Sequence, residues 1–134
     1  MMDARLSSTK ILHGCRVLIV EDQFLLAEEM SAIIRNLGAE VVGPFATTAA
    51  SLQLLRQVRV DLAILDINLD GEQVYVVAQE LRNHNIPFFF ATGYEPWVVS
   101  LQFQDAPHLE KPVNSFSLVQ AIAKLDPPLV GSTP

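Results

Sequence analysis

From Ile11 to Leu125 the hydrophobic positions alternate between two spacings. Arg16-Val-Leu-Ile-Val20 is a short continuous apolar run, the pattern of a strand buried on both faces. Between Gln23 and Leu37 the apolar residues Leu26, Met30, Ile33 and Leu37 follow helical spacing, and Gly38 ends the helix. Glu40-Val-Val-Gly43 reads as a second strand, closed by Pro44. Thr47 to Val58 is a helix with Leu52 and Leu55 on one face and Thr47 or Thr48 as its cap. Asp61-Leu-Ala-Ile-Leu-Asp66 is a third strand. Asp70-Gly71 turns into a helix from Gly71 to Asn83, with Val74, Val77 and Leu81 inward. Ile86 to Thr92 is the most apolar strand, through Phe88, Phe89 and Phe90. Trp97 and Leu101 suggest a short fourth helix after Pro96, and His108 to Lys111 a weak fifth strand. Asn114 to Leu125 is the last helix, with Leu118, Ile122 and Leu125 inward.

Strands of this kind alternating with amphipathic helices predict an α/β fold, a parallel sheet covered on both faces. Right-handed crossovers favour a doubly wound (βα)5 arrangement with the flavodoxin-like strand order 2-1-3-4-5. The expected organisation is an N-terminal extension (1–14), one domain (15–126) and a Pro-rich C-terminal tail (127–134). The nine residues after Leu125 are too few to fold alone, so no separate output domain is expected.

Composition narrows the function. Of 134 residues, 50% are hydrophobic, enough for a packed core and against a disordered chain. Fifteen acids against nine bases give a net charge of −6, the wrong sign for a nucleic-acid binder. Cys15 is alone, which excludes an intrachain disulfide and a Cys-based zinc site and fits a reducing compartment. The apolar runs Val17–Val20 and Ile86–Ala91 fall far short of the ~18 residues of a membrane span, and residues 1–14 lack the apolar core of a secretory signal. The simplest expectation is a soluble, cytoplasmic protein that does not touch membranes.

Open α/β sheets bind ligands beyond the carboxyl ends of their strands. There stand Glu21-Asp22 after strand one, Asp66 and Asn68 after strand three, Thr92-Gly93 after strand four and Lys111-Pro112 after strand five. Carboxylates crowded together repel unless positive charge lies among them. Lys111 supplies one charge, and a hard divalent cation would supply the rest: Mg²⁺, or Mn²⁺ in its place. A carboxylate beside such an ion and a lysine can attack phosphorus and form an acyl phosphate. Asp66 would be the nucleophile, Asp22 a direct metal ligand, and Glu21 a ligand through water. Asn68 would offer its backbone carbonyl, and Lys111 and Thr92 would bind phosphoryl oxygens.

The set Glu21-Asp22, Asp66-Ile-Asn-Leu-Asp-Gly71, Thr92 and Lys111-Pro112 resembles the receiver domain of response regulators over Arg16 to Leu125. The resemblance implies Mg²⁺-dependent phosphorylation of Asp66 by a histidine kinase or histidine phosphotransferase, and a cis Lys111-Pro112 bond. It also implies output to a downstream protein through the face of the fourth helix, fifth strand and fifth helix, by a monomer or a phosphorylation-dependent dimer. Such a domain is a phosphoacceptor rather than an enzyme; it catalyses only its own phosphoryl transfer and slow autodephosphorylation. Pro87-Phe-Phe-Phe-Ala-Thr-Gly-Tyr94 is similar to the PFxFATGY stretch of the stand-alone FAT GUY receivers, associated with kinases of the HWE and related families. Typical receivers carry an aromatic residue where this chain has His108, so Thr92, Gly93, Tyr94 and His108 are the candidate switch residues.

Other readings compete. The chain could act as a phosphate sink or shuttle, or as a pseudo-receiver that never takes phosphate. A Mg²⁺-dependent phosphatase with an Asp nucleophile would want a second Asp where Asn68 stands, since Asn has no proton to give. A flavin or nucleotide binder would want a phosphate loop where Glu21-Asp22-Gln23-Phe24 stands. Structural roles are open too: Asp22 as a helix cap, Asp66 as a strand-end turn residue, His108 as a half-exposed edge histidine, Phe88–Phe90 as core, and Trp97 as core or a partner-facing patch.

Overall fold

The computed structural model describes residues 11–69, 74–93, 101–125 and 129. Five parallel strands are ordered β2-β1-β3-β4-β5. They are β1 (Arg16–Val20), β2 (Glu40–Phe45), β3 (Leu62–Asp66), β4 (Phe88–Thr92) and β5 (His108–Glu110). The helices are α1 (Phe24–Asn36), α2 (Thr48–Leu55), α3 (Tyr75–Asn83) and α4 (Ser115–Ala123), with a short 3-10 turn at Leu101–Phe103. This is the doubly wound, flavodoxin-like sheet that the alternating pattern implies.

The central strands look uniformly apolar because both faces are covered, yet each face has its own layer. Val17 and Ile19 of β1, Ile64 of β3 and Phe89 of β4 pack with Met30 and Ile34 of α1 and Leu118 and Ile122 of α4. Their alternates Leu18, Val20, Leu65, Phe88 and Phe90 pack on the other side with Val77 and Leu81 of α3. A period of two is thus present but hidden, since neither face meets water. Leu12 and Leu129, from the flanking segments, also pack into the α1–α4 layer, and the Leu12 amide donates to the Leu37 carbonyl at 2.8 Å.

Local chemistry sets the ends of the elements. Thr47 caps α2 by accepting from the Ala50 amide, and Asn114 caps α4 by accepting from the Ser117 amide. Pro44 does not close β2, contrary to the sequence reading. The strand continues to Phe45, because β2 is an edge strand where a missing N–H breaks no essential ladder bond. Gly43 is required there: its φ is +100°, and a Cβ would lie 2.9 Å from the Phe45 nitrogen. The turn at Asp70-Gly71, the proposed helix around Trp97, and Tyr94 lie outside the described residues.

Sequence periodicity does not single out Phe103. It is fully buried, stacked on Tyr75 at 5.4 Å and set edge-on to Phe90 at 5.9 Å. Arg82 of α3 lies over its ring at 4.7 Å, donates to the Gln102 carbonyl and pairs with Asp105 at 3.1 Å. The β4–β5 connection is thereby fastened to α3. Phe103→Ala is expected to cost ~3–5 kcal/mol, read as a lowered urea midpoint with an unchanged slope.

Candidate functional site

Parallel strands end together, so the residues that follow them share one edge. Asp66 closes β3, Glu21 and Asp22 follow β1, Thr92 closes β4, and Lys111 follows β5. Asp66, Glu21 and Thr92 are buried; Asp22 is half-buried. The Lys111 ammonium donates to Asp66 Oδ1 at 2.7 Å. It also lies 3.1 Å from Glu21 Oε1, an ion pair without the alignment of a hydrogen bond. The Asn68 amide donates to Asp66 Oδ1 at 3.0 Å, and the Gln23 amide to Glu21 Oε2 at 3.1 Å.

The electrostatics are unbalanced. One carboxylate oxygen from each of Glu21, Asp22 and Asp66 falls within a cluster whose members lie no more than 4.8 Å apart. Burial, and then the charge of Asp66, pushes the Glu21 carboxyl up to about 7, against the Gln23 amide and Lys111. Burial also works against the Lys111 ammonium. Asp66, by hydrogen bond and charge, and then Glu21 outweigh it, so Lys111 sits above the ordinary lysine value. Glu21 Oε1 and Asp66 Oδ2 are buried without hydrogen-bond partners. Orphaned buried carboxylate oxygens in an acidic cluster, with one ammonium to offset them, fit an oxygen-seeking divalent cation.

Asp66 is not symmetric. Oδ1 is held by two donors and Oδ2 by none, so one oxygen orients the group and the other is left for a new bond. The structure thus brings Glu21, Asp22, Asp66 and Lys111 together. Asn68 meets the acceptor through its backbone N–H, which donates to Asp66 Oδ1. Asp22 is not the cap of α1: Gln23 occupies that position, without a side-chain cap bond. The Lys111-Pro112 peptide is cis. Two contributors were invisible in sequence: the Gln23 amide, and the Phe45 carbonyl that accepts from the Glu21 amide at 2.9 Å. Backbone groups are common to every residue type, so no sequence signal marks them.

Thr92 stands one strand over, its carbonyl accepting from the Lys111 amide at 2.8 Å. His108 is half-buried on edge strand β5, its ring 5.9 Å from that of Phe90. Its Nε2 is buried without a partner, and burial lowers its pKa, which favours the neutral ring. Phe88, Phe89 and Phe90 are core, as their alternation between the two layers requires.

A family model of the response regulator receiver domain matches residues 17–123. The chain belongs to the response regulator receiver family. The receiver shares 32% identity with the aerobic respiration control protein ArcA of Escherichia coli K12 over 103 residues, 73% of this chain and 42% of ArcA. It shares 28% with the sensory transduction protein LytT of Bacillus cereus over 113 residues, 81% of this chain and 46% of LytT. It spans less than half the length of these relatives. Among solved structures it resembles SdrG of Sphingomonas melonis Fr1, with a TM-score of 0.74 and 37% identity over 81% of this chain and 93% of SdrG. The BeF3-activated conformation of SdrG matches with a TM-score of 0.72 and 36% identity over 83% of this chain and 95% of that chain. The receiver is a module of two-component signalling, a class that works with histidine kinases or phosphotransferases and downstream proteins. Among the described residues no helix is long and apolar enough to cross a membrane.

Proposed function

We propose that this receiver accepts a phosphoryl group on Asp66 from a phosphohistidine. The observation that carries this is the carboxylate itself: buried, oriented through Oδ1 by Lys111 and the Asn68 amide, with Oδ2 left without a hydrogen bond. A carboxylate oxygen attacks phosphorus, the O–P bond forms as the N–P bond breaks, and the electron pair returns to the imidazole nitrogen. Lys111 offsets negative charge on the transferring oxygens, and the Thr92 hydroxyl binds one of them. Mg²⁺ would be held by Asp22 and Asp66, by Glu21 through water and by the Asn68 carbonyl, and would neutralise charge on the phosphoryl oxygens. Phosphorylation then biases a conformational equilibrium that a downstream protein reads.

The PFFFATGY stretch supports a place in the FAT GUY subgroup with a kinase of the HWE or a related family. That this chain spans 93% of SdrG supports signalling through contacts of the receiver itself. In this reading His108 is an edge histidine packed on Phe90, and Thr92, Gly93 and Tyr94 carry the switch.

Acetyl phosphate with Mg²⁺ is expected to add about 80 Da, stable to acid and removed by hydroxylamine. EDTA suppresses the addition. Asp22→Ala weakens Mg²⁺ affinity about tenfold or more, measured by titration; an unchanged titration removes Asp22 from the metal site.

A further inference from the structure

A groove of about 920 Å³ crosses the amino edge of the sheet, at the end of the molecule opposite the acceptor pocket. Its lining comes from the turn after α2 (55–61), the end of α3 and the turn into β4 (80–88), the approach to β5 (105–107), and Leu125 and Leu129. It therefore passes beneath the starts of β3, β4 and β5, which are neighbours in the sheet. Six of its apolar residues still meet solvent: Leu55, Val58, Ile86, Pro87, Pro107 and Leu125. The acids of the lining are each engaged. Asp105 pairs with Arg82 at 3.1 Å, Glu80 lies 3.5 Å from His84 Nδ1, and Asp61 accepts from the Arg16 amide at 2.9 Å. Arg56 and Arg59 are exposed at the α2 end of the groove, and among the described residues neither side chain makes an ion pair or a hydrogen bond.

Contiguous apolar surface rimmed by polar groups marks a protein-contact site. Shape and charge define the occupant. Adjacent strands stand ~4.8 Å apart, so a groove beneath three of them runs ~10 Å before the flanking helix ends are added. An extended chain, rising ~3.3 Å per residue, fills that length with three or more residues. The receiver carries a net charge of −6, yet two arginines three residues apart stand uncompensated at one end of this groove. We propose that the groove docks an extended, apolar segment of a partner protein, with aspartate or glutamate set against Arg56 and Arg59. Apolar contact holds the segment, while opposite charge speeds encounter and sets its register. The strands run parallel from this edge to Asp66, so a partner anchored here leaves the acceptor pocket uncovered.

The test uses a phage-displayed library of random dodecapeptides, selected on the full chain. Enriched peptides are expected to combine apolar residues with aspartate or glutamate, and the strongest is synthesised with a fluorescent label for anisotropy titration. An Arg56→Glu/Arg59→Glu variant is expected to weaken its binding about tenfold or more. The control Arg35→Glu/Lys124→Glu changes the net charge equally at exposed sites outside the groove, and binds within about twofold of wild type. Both variants keep the wild-type circular dichroism, and raised salt weakens wild-type binding. Amide NMR shifts on adding the peptide fall at 84–88 and 105–107. Asp66→Asn binds the peptide like wild type, and saturating peptide leaves labelling by acetyl phosphate within about twofold, so this site and the acceptor role of Asp66 stand or fall separately. The proposal is overturned by a selection that enriches no acidic, apolar peptide, by equal loss in the control variant, by wild-type binding in Arg56→Glu/Arg59→Glu, or by shifts confined to the carboxyl edge.

Discussion

Replacing Asp66 by asparagine abolishes phosphoryl uptake from every donor and leaves the fold in place. The amide has nearly the shape of the carboxylate but lacks its nucleophilic charge, so it cannot form the acyl phosphate. Only the chemistry is removed, because Lys111 keeps Glu21 as an ion-pair partner at 3.1 Å. Loss of the Asp66 charge also removes the second cause of the raised Glu21 pKa, so Glu21 becomes easier to ionise. Intact-protein mass spectrometry with Mg²⁺ and acetyl phosphate reads the first effect, and circular dichroism the second claim. Labelling of Asp66→Asn at the wild-type rate would show that another side chain is the acceptor.

The second large effect is a stability that depends jointly on pH and Mg²⁺. In the metal-free protein Glu21 titrates at about 7, against an ordinary value of 4.5. Between those values the folded state holds a proton that the unfolded chain has released, so stability falls as pH rises through this window. His108 acts in the opposite direction, since its lowered pKa makes protonation at low pH unfavourable in the fold. The comparison is therefore with Glu21→Gln, which keeps His108 and lacks the carboxyl. Metal-free wild type loses more stability than Glu21→Gln between about pH 5 and 8. A bound cation favours the ionised carboxylate and removes the difference, so Mg²⁺ raises the melting temperature more at pH 8 than at pH 5. Saturation at about a hundred times Kd adds ~2.7 kcal/mol. Thermal melts of both proteins with Mg²⁺ or EDTA measure this, and parallel pH profiles would remove Glu21 as the strained group.

Much of the fold was legible because the parallel sheet writes itself as runs: Val17–Val20, Leu62–Leu65 and Phe88–Ala91 cannot be solvent-facing strands. The acceptor set was legible for a related reason. Each strand is followed at once by its polar residues, and parallel winding brings those ends to one edge. Phe103 was not legible, since its place depends on Arg82 reaching across from α3. Nor was the passage of β2 through Pro44, which depends on that strand lying at the sheet edge.

The order of apolar runs and helical stripes determined, without coordinates, a doubly wound parallel sheet and the identity of the residues at its carboxyl edge. Local spacing suffices there, because strand periodicity and connection handedness leave few windings. Tertiary structure alone decided how the charges share that edge. It placed Lys111 between Asp66 and Glu21, turned the Asn68 amide onto the acceptor, buried Glu21 deeper than Asp22, and left one oxygen of each buried carboxylate unbonded. Those are distances and desolvation between groups far apart in the chain, which sequence spacing does not encode.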